Sequence, residues 1–221
     1  MILRVITIMF LLFPLTAFSQ TSSYMSTPGK SAIGMSISFL DTGRSLNGYL
    51  VSPVDHSTQA IFAVGIGLRD NETLEGTGES IPPSPAGLVA LEKISGLGTT
   101  GLQSFVSGGV GASSAKRVRT ADDITLRSVV GLTAFGAAGI FKRLKTSSDW
   151  VMTPSFGVSY AYTWLTIDDK LFNQKETTES GDFSGGVGLQ LDLAPEVNIW
   201  GALTFSFDTS DTILTVGVNW H

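Results

Sequence analysis

The chain has 221 residues, a formal net charge of −5 and 43% hydrophobic residues, and it contains no cysteine. The lack of cysteine excludes disulfide bonds and thiolate metal sites. The mild acidity, with no basic stripe, gives no reason to expect a nucleic-acid partner.

The N-terminus has the pattern of a secretory signal. Arg4 supplies the positive charge, Val5–Leu15 is almost wholly apolar, and Ala17 and Ser19 place small residues before a cleavage point at Gln20. The apolar run is shorter than the ~20 residues that a spanning helix needs, which favours a cleaved signal over an anchor. We predict a signal peptide over residues 1–19 and a short N-terminal segment over residues 20–30.

Apolar side chains alternate with small or polar ones in several later segments, which is the pattern of a β-strand with one apolar face. In chain order, the predicted strands include residues 33–39, 60–68, 102–110, 124–143, 150–164, 183–193, 197–207 and 214–220. The most apolar run of the mature chain, Val129–Phe141, is too short and too rich in glycine to span a membrane as a helix.

The segment Trp150–Trp164 alternates without exception. Fourteen steps of ~3.3 Å at a tilt of roughly 40° rise about 35 Å, enough to cross the apolar band of an outer membrane. Tryptophan prefers the headgroup level, because its ring is apolar and its N–H needs a polar partner. The predicted interface aromatics are Trp150, Trp164 and Trp220. The predicted lipid-facing side chains are Phe156, Val158, Tyr160 and Tyr162.

The number of strands depends on the long link over residues 70–99. If both termini are periplasmic, counting back from the C-terminus places the links at 113–122, 166–182 and 208–211 on the outer side and the long link on the inner side, which is unusual. A strand near Leu88–Ile94 repairs this parity and gives ten strands. A helix there, favoured by Ser84 as N-cap, Pro85 at the first turn and Gly96 at the end, leaves about eight or nine strands, of which eight is the permitted even number. Both alternatives stay open. The charged link Thr166–Asp182 is a candidate exposed loop.

Inward faces are dominated by glycine, serine, alanine and threonine, which suits a narrow barrel. Larger polar residues share the inward parity, namely Gln103, Arg127, Gln190 and Asp192, with Arg143 as a further candidate. They form either a network that plugs the interior or the lining of a narrow solute path. Trp200 also has inward parity, which indicates that it fills the lumen or that the register shifts there.

No catalytic constellation is evident. His56 lies in a short link, His221 is the last residue, and neither accompanies a nucleophile elbow. The acidic pairs lack the ligand order of a calcium loop, and the Gly108–Gly111 run lacks the lysine of a phosphate loop. We therefore predict a non-enzymatic protein with no cofactor and no metal site.

The signal sequence, the alternating glycine and aromatic strands and the amphipathic segment Ile213–Trp220 together resemble the small outer-membrane β-barrel superfamily of Gram-negative bacteria. The resemblance covers residues 31–221 and implies an all-β, closed antiparallel up-and-down transmembrane barrel of 8 or 10 strands. It also implies two partners, outer-membrane lipid and the barrel-assembly machinery. That machinery commonly reads an aromatic last residue, whereas here His221 follows Trp220.

These expectations favour an integral outer-membrane protein with a structural or surface-interaction role, whose extracellular ligand the sequence does not identify. One alternative is a narrow pore for small or apolar solutes. A second is a soluble secreted β-sandwich or barrel, in which the apolar faces would form the core.

Overall fold

The computed structural model describes residues 30–40, 43–69, 79–80, 82–97, 101–119, 124–146, 150–170 and 172–221. The predicted signal peptide lies outside these residues. The described chain forms twelve strands: β1 (Ala32–Leu40), β2 (Gly43–Pro53), β3 (Thr58–Arg69), β4 (Glu79–Ser80), β5 (Ser84–Leu97), β6 (Leu102–Arg119), β7 (Ile124–Lys142), β8 (Leu144–Lys145), β9 (Val151–Asp169), β10 (Gln174–Ala194), β11 (Val197–Ser206) and β12 (Thr212–Trp220).

Ten long strands close into one antiparallel barrel. Apart from β4 and β8, each strand pairs with its neighbours along the chain, and β1 closes the circle by pairing with β12 from Ile33–Trp220 to Phe39–Leu214. The two-residue strand β4 adds to the end of β6 at Val118 and Arg119, and β8 adds to the start of β9 at Val151 and Met152, on the side of the termini. Closure leaves no free sheet edge around the barrel wall, so the backbone polar groups there are paired within the protein.

The segment that sequence signals left undecided is strand β5. It pairs with β3 from Thr58–Lys93 to Gly67–Ser84 and with β6 from Ala86–Ser113 to Leu97–Leu102. The helix alternative is therefore wrong, and the barrel has ten strands. The cap-like Ser84 and Pro85 favour a helix only weakly, and two complete neighbouring ladders outweigh them.

Apolar side chains point outward from all ten long strands and form a continuous belt. Among the exposed members are Met35, Phe62, Val106, Phe156 and Val187. The soluble alternative needed these faces in a core, but they form the outer surface. An exposed apolar surface of this extent is stable only when it is covered by a partner or a membrane.

Four strands continue well past the others at the end opposite the termini. β6, β7, β9 and β10 have 18 to 21 residues, whereas β1 and β12 have nine. We call this projecting sheet the extension, formed by residues 114–119, 124–130, 161–169 and 174–182. The loop expected over residues 166–182 is wrong, because β9 and β10 pair up to Asp169–Gln174 and leave only a tight turn. The link expected over residues 113–122 is likewise largely strand.

The described part of the chain contains no helix that is long and apolar enough to span a membrane.

Candidate functional site

The centre of the lumen is closed by two aromatic side chains that meet across it. Trp200 of β11 is 3% exposed, and its Nε1 donates a hydrogen bond of 3.0 Å to the hydroxyl of Tyr49 on β2. Glycine makes room for both rings. A Cβ at Gly217 would collide with the indole, and one at Gly34 would collide with the Tyr49 ring. Trp200 therefore fills the lumen without a register shift, and we call this pair the plug.

A chain of hydrogen bonds ties the plug to the terminal end of the barrel. The Tyr49 hydroxyl donates to Oδ1 of Asn219, and Asn219 Nδ2 donates to Asn198 Oδ1 at 2.7 Å. Asn198 Nδ2 lies 2.7 Å from Nε2 of His221, and burial lowers the pKa of that imidazole. Both asparagines are almost completely buried. Buried amides that pair with each other hold β2, β11 and β12 in one arrangement.

Apolar side chains surround the plug and cross the lumen from wall to wall. One cluster combines Tyr49 and Trp200 with Ile61, Leu88 and Phe135, which come from β3, β5 and β7. A second cluster of Ile94, Phe105, Ala137 and Phe141 lies on the side of the termini. The sequence predicted an interior of small residues. The observed interior combines those small residues with large apolar ones, because glycines such as Gly109 and Gly139 make room for the rings of Phe135 and Phe105 on neighbouring strands.

The predicted polar lumen residues separate into two groups. Gln190 and Asp192 lie together at the terminal end, where Gln190 Nε2 donates to Asp192 at 2.7 Å and Arg143 binds the same carboxylate at 2.6 Å. Gln103 is half-buried on β6. Arg127 lies at the opposite end, where its Nε donates to Asp169 at 3.0 Å. The pairing of inward charges lowers the cost of their partial burial.

The predicted outer residues lie as follows. Phe156 and Tyr160 are exposed on β9, while Val158 and Tyr162 are partly exposed on the same face. Trp150, Trp164 and Trp220 are 50%, 41% and 46% exposed. Tyr162 and Trp164 make an edge-to-face contact at 4.9 Å, and the Tyr162 hydroxyl donates to Glu179. Aromatic rings with a wet polar group suit the boundary between hydrocarbon and headgroups.

The described residues contain no group of three or more histidine, cysteine, aspartate or glutamate side chains placed to hold a metal ion. His56 is exposed in the 54–57 turn beside Asp55. Hydrogen bonds from Ser57 and Thr58 to the Asp55 carboxylate lower its pKa to about 2. That carboxylate therefore stabilises the turn by accepting backbone N–H groups.

Sequence reasoning missed the most buried polar side chains of the lumen. Glu92 and Gln59 are almost completely buried, and Gln59 Nε2 donates to Glu92 at 2.6 Å. Tyr49 lies on β2, a strand whose alternation is weak because Asn47, Tyr49 and Val51 all point inward. The sequence signal that could have revealed β2 was the length of the segment between the predicted strands at 33–39 and 60–68, which has room for another strand.

The sequence matches no protein-family profile and no curated protein. The fold resembles that of solved bacterial barrels. The translocator domain of autotransporter NalP from Neisseria meningitidis superposes with a TM-score of 0.55 at 12% identity, covering 94% of each chain. The outer membrane protease OmpT from Escherichia coli gives 0.47 at 11% identity, covering 88% of this chain and 97% of its own. KdgM porin gives 0.41 at 10% identity, covering 86% and 98%.

The orientation follows from the two ends of the barrel. The ends of β1 and β12 share one end of the barrel with the short turn at residues 195–196, whereas the extension and strand β4 lie at the other. Transmembrane barrels have short periplasmic turns and longer extracellular connections, so in a barrel of that kind the extension would be extracellular. Ten closed strands, an apolar outer belt and the likeness to NalP agree: the chain has the fold of bacterial outer-membrane β-barrels.

Proposed function

We propose that this protein is an integral, non-enzymatic barrel of the bacterial outer membrane, closed to solutes, whose extension is a surface-interaction module. The observation that carries the proposal is that four strands continue past the level at which the wall is complete. β10 pairs with β11 only from Ser184 to Ala194, so its residues 174–182 stand above the barrel. Strands that lie outside the lipid do not help to span it, and extracellular projections of a rigid scaffold commonly carry binding functions.

The extension is stiff and rich in charge, as a recognition surface requires. Its inner face contains the Val129–Leu165 cluster and the Arg127–Asp169 ion pair. Its outer face carries an ion pair of 2.9 Å between Lys170 and Asp168. Ion pairs and a small apolar cluster hold this sheet in one conformation, so a partner would bind a preformed surface. The extension would therefore lose little conformational entropy on binding.

The lumen supports the closed state over the narrow-pore alternative. The plug and the apolar side chains packed around it, which include Phe135, lie across the path that a solute would take through the lumen. The absence of an evident nucleophile and base in the sequence supports the non-enzymatic role, as does the use of Asp55 in a turn. Recognition by the barrel-assembly machinery through the Ile213–Trp220 strand remains part of this proposal.

A shortened hairpin tests the role of the extension. Residues 166–177 are replaced by Asn-Gly, which joins Leu165 to Thr178 across an existing pair of the β9–β10 ladder by a two-residue turn. We expect the variant to keep its heat-dependent shift between unheated and boiled detergent gels. Cells that express it should lose the attachment to protein-coated or polysaccharide-coated plates that the parent protein confers.

The matched control is Asn173→Gly, which leaves the hairpin intact. Asn173 has a φ of 49°, a conformation that glycine adopts without strain, so this variant should attach like the parent. Attachment unchanged by the shortened hairpin would contradict the proposed role of the extension. Loss of the heat-dependent shift would instead show that the extension is needed to fold the barrel.

A further inference from the structure

The hydrogen bonds between the plug and His221 all run in one direction. Trp200 Nε1 can only donate, and it donates to the Tyr49 hydroxyl at 3.0 Å. That hydroxyl donates to Asn219 Oδ1, and Asn219 Nδ2 donates to Asn198 Oδ1 at 2.7 Å. Asn198 Nδ2 is therefore the atom that faces His221 Nε2, 2.7 Å away. Since an amide nitrogen only donates, this arrangement requires an unprotonated Nε2 that accepts.

The two asparagines couple the imidazole to the plug. Asn198 is 1% exposed and Asn219 is 0% exposed, so each amide depends on its neighbours in the protein for hydrogen bonds. Each amide turns its oxygen toward the plug and its nitrogen toward His221. The backbone N–H of His221 donates to the Glu196 carbonyl at 2.9 Å, which holds this residue beside β11. The protonation state of the imidazole therefore bears on the orientation of both amides.

Charged groups from three parts of the chain surround the imidazole. Burial has the largest effect and lowers the pKa of His221 below its ordinary value of 6.5. Lys30, just before β1, and Arg143, between β7 and β8, also lower this pKa, whereas Asp192 on β10 and the Ser31 backbone raise it. The ring is therefore neutral at pH 7 and takes up a proton only in acid.

We propose that His221 is a pH sensor for the plug. A proton taken up from solvent at Nε2 changes this atom from acceptor to donor, so that two donors, Nε2 and Asn198 Nδ2, face each other. The contact is restored only if both amides turn over, which brings Asn219 Nδ2 to the Tyr49 hydroxyl. The hydroxyl proton then loses Asn219 Oδ1 and must turn to the Val218 carbonyl, 3.4 Å away. Acid therefore weakens the hydrogen bonding of the plug.

Nuclear magnetic resonance of the full protein in detergent micelles tests the proposal, because it follows both ends of this hydrogen-bond chain. The indole N–H signal of Trp200 is the one that remains when the exposed tryptophans are replaced by phenylalanine, namely Trp150, Trp164 and Trp220. The ring signal of His221 is the one that remains in His56→Gln. As the pH falls from about 8 to about 5, we expect both signals to shift with one common midpoint below the ordinary histidine pKa.

His221→Gln removes the titration but keeps an acceptor. Its side-chain oxygen can accept from Asn198 Nδ2, as the neutral imidazole does, and it takes up no proton in this pH range. The Trp200 signal of this variant should therefore stay constant. His56→Gln is the matched control, since His56 is exposed in the turn at residues 54–57, at the same end of the barrel. Its Trp200 signal should titrate as in the parent.

A Trp200 signal that stays constant in the parent would overturn the proposal. So would a shift that persists in His221→Gln, because another group would then be its cause. If His221→Gln does not fold, the parent and His56→Gln still give the answer. Different midpoints for the Trp200 and His221 signals would show that the two ends are not coupled.

Discussion

The rings of Tyr49 and Trp200 explain why residues 34 and 217 are glycine, whereas composition alone attributed the glycines to the curvature of a narrow barrel. Gly34 on β1 is paired with Tyr49, and Gly217 on β12 is paired with Trp200. A methyl group at either position would collide with the neighbouring ring and displace the plug. The parity of Trp200 was readable from the sequence, because Asn198, Ala202 and Thr204 share its face. Its partner was not readable, because Tyr49 lies 151 residues away and only closure of the barrel brings the two together.

The plug gives a prediction for Tyr49→Phe. The substitution keeps the ring but removes the hydroxyl that accepts from Trp200 and donates to Asn219. Two buried polar groups lose a partner, so we expect the free energy of unfolding to fall by about 1–3 kcal/mol. Urea titration of the protein refolded in lipid vesicles measures the change.

Tyr160→Phe serves as the control, because the Tyr160 side chain is exposed on the outer face. A surface change of this kind should shift stability by no more than about 0.5 kcal/mol. Equal effects of the two substitutions would mean that the buried hydroxyl contributes nothing beyond an exposed one.

Strands differ in how completely their sequence indicates them. β9 was predictable up to Trp164, since Phe156, Tyr160 and Trp164 alternate with small residues, whereas its last residues, up to Asp169, were expected to be loop. β5 was ambiguous, because its inward face includes Leu88 and Ile94 while its outward face includes Val89 and Leu91. Because apolar residues lie on both faces of β5, its sequence lacks the alternation of apolar and polar residues that identifies a strand. Only the requirement to close an even ladder decides such a strand, and that requirement belongs to the complete sheet.

The site shows the same limit. The Gln190–Asp192 pair was suggested by shared parity, whereas the assignment of Arg127 to Asp169 needed the β7–β9 register. Glu92 carried no visible signal, since a charged residue within an apolar run usually indicates solvent. Its burial depends on Gln59, which the β3–β5 register places directly opposite.

Arginine substitutions on β9 distinguish the two faces of one strand. Val158→Arg would place a guanidinium in lipid near the middle of the span, at a cost of about 2–4 kcal/mol. Ser159 is buried and lies 3.0 Å from the Ser184 hydroxyl, so Ser159→Arg must force a charge into a packed interior. We expect both variants to lower the urea midpoint strongly, with the larger effect at Ser159.

Thr177→Arg, on the exposed part of the extension, should leave the midpoint unchanged. If Ser159→Arg also folds with the parent midpoint, the lumen at that level holds water. The interior would then be wet in spite of the neighbouring plug.

The barrel as a complete object should not conduct ions. Barrels with few strands have a lumen that side chains can fill, and here large apolar side chains occupy the centre of the lumen. Planar-bilayer recordings of the parent protein should therefore stay at background. The double variant Tyr49→Ala, Trp200→Ala removes both rings and should produce measurable conductance, provided that its heat-dependent gel shift is retained. Conductance by the parent would contradict the closed lumen.

Closure of the circle depends on the two shortest long strands. β1 and β12 have nine residues each, whereas β9 and β10, on another part of the wall, have 19 and 21. The seam between β1 and β12 therefore has the fewest backbone hydrogen bonds to break, and the β9–β10 hairpin can form from residues close together in the chain. Folding can therefore begin with the β9–β10 hairpin and end when β1 pairs with β12. Unfolding would begin at the same β1–β12 ladder, because it is the shortest.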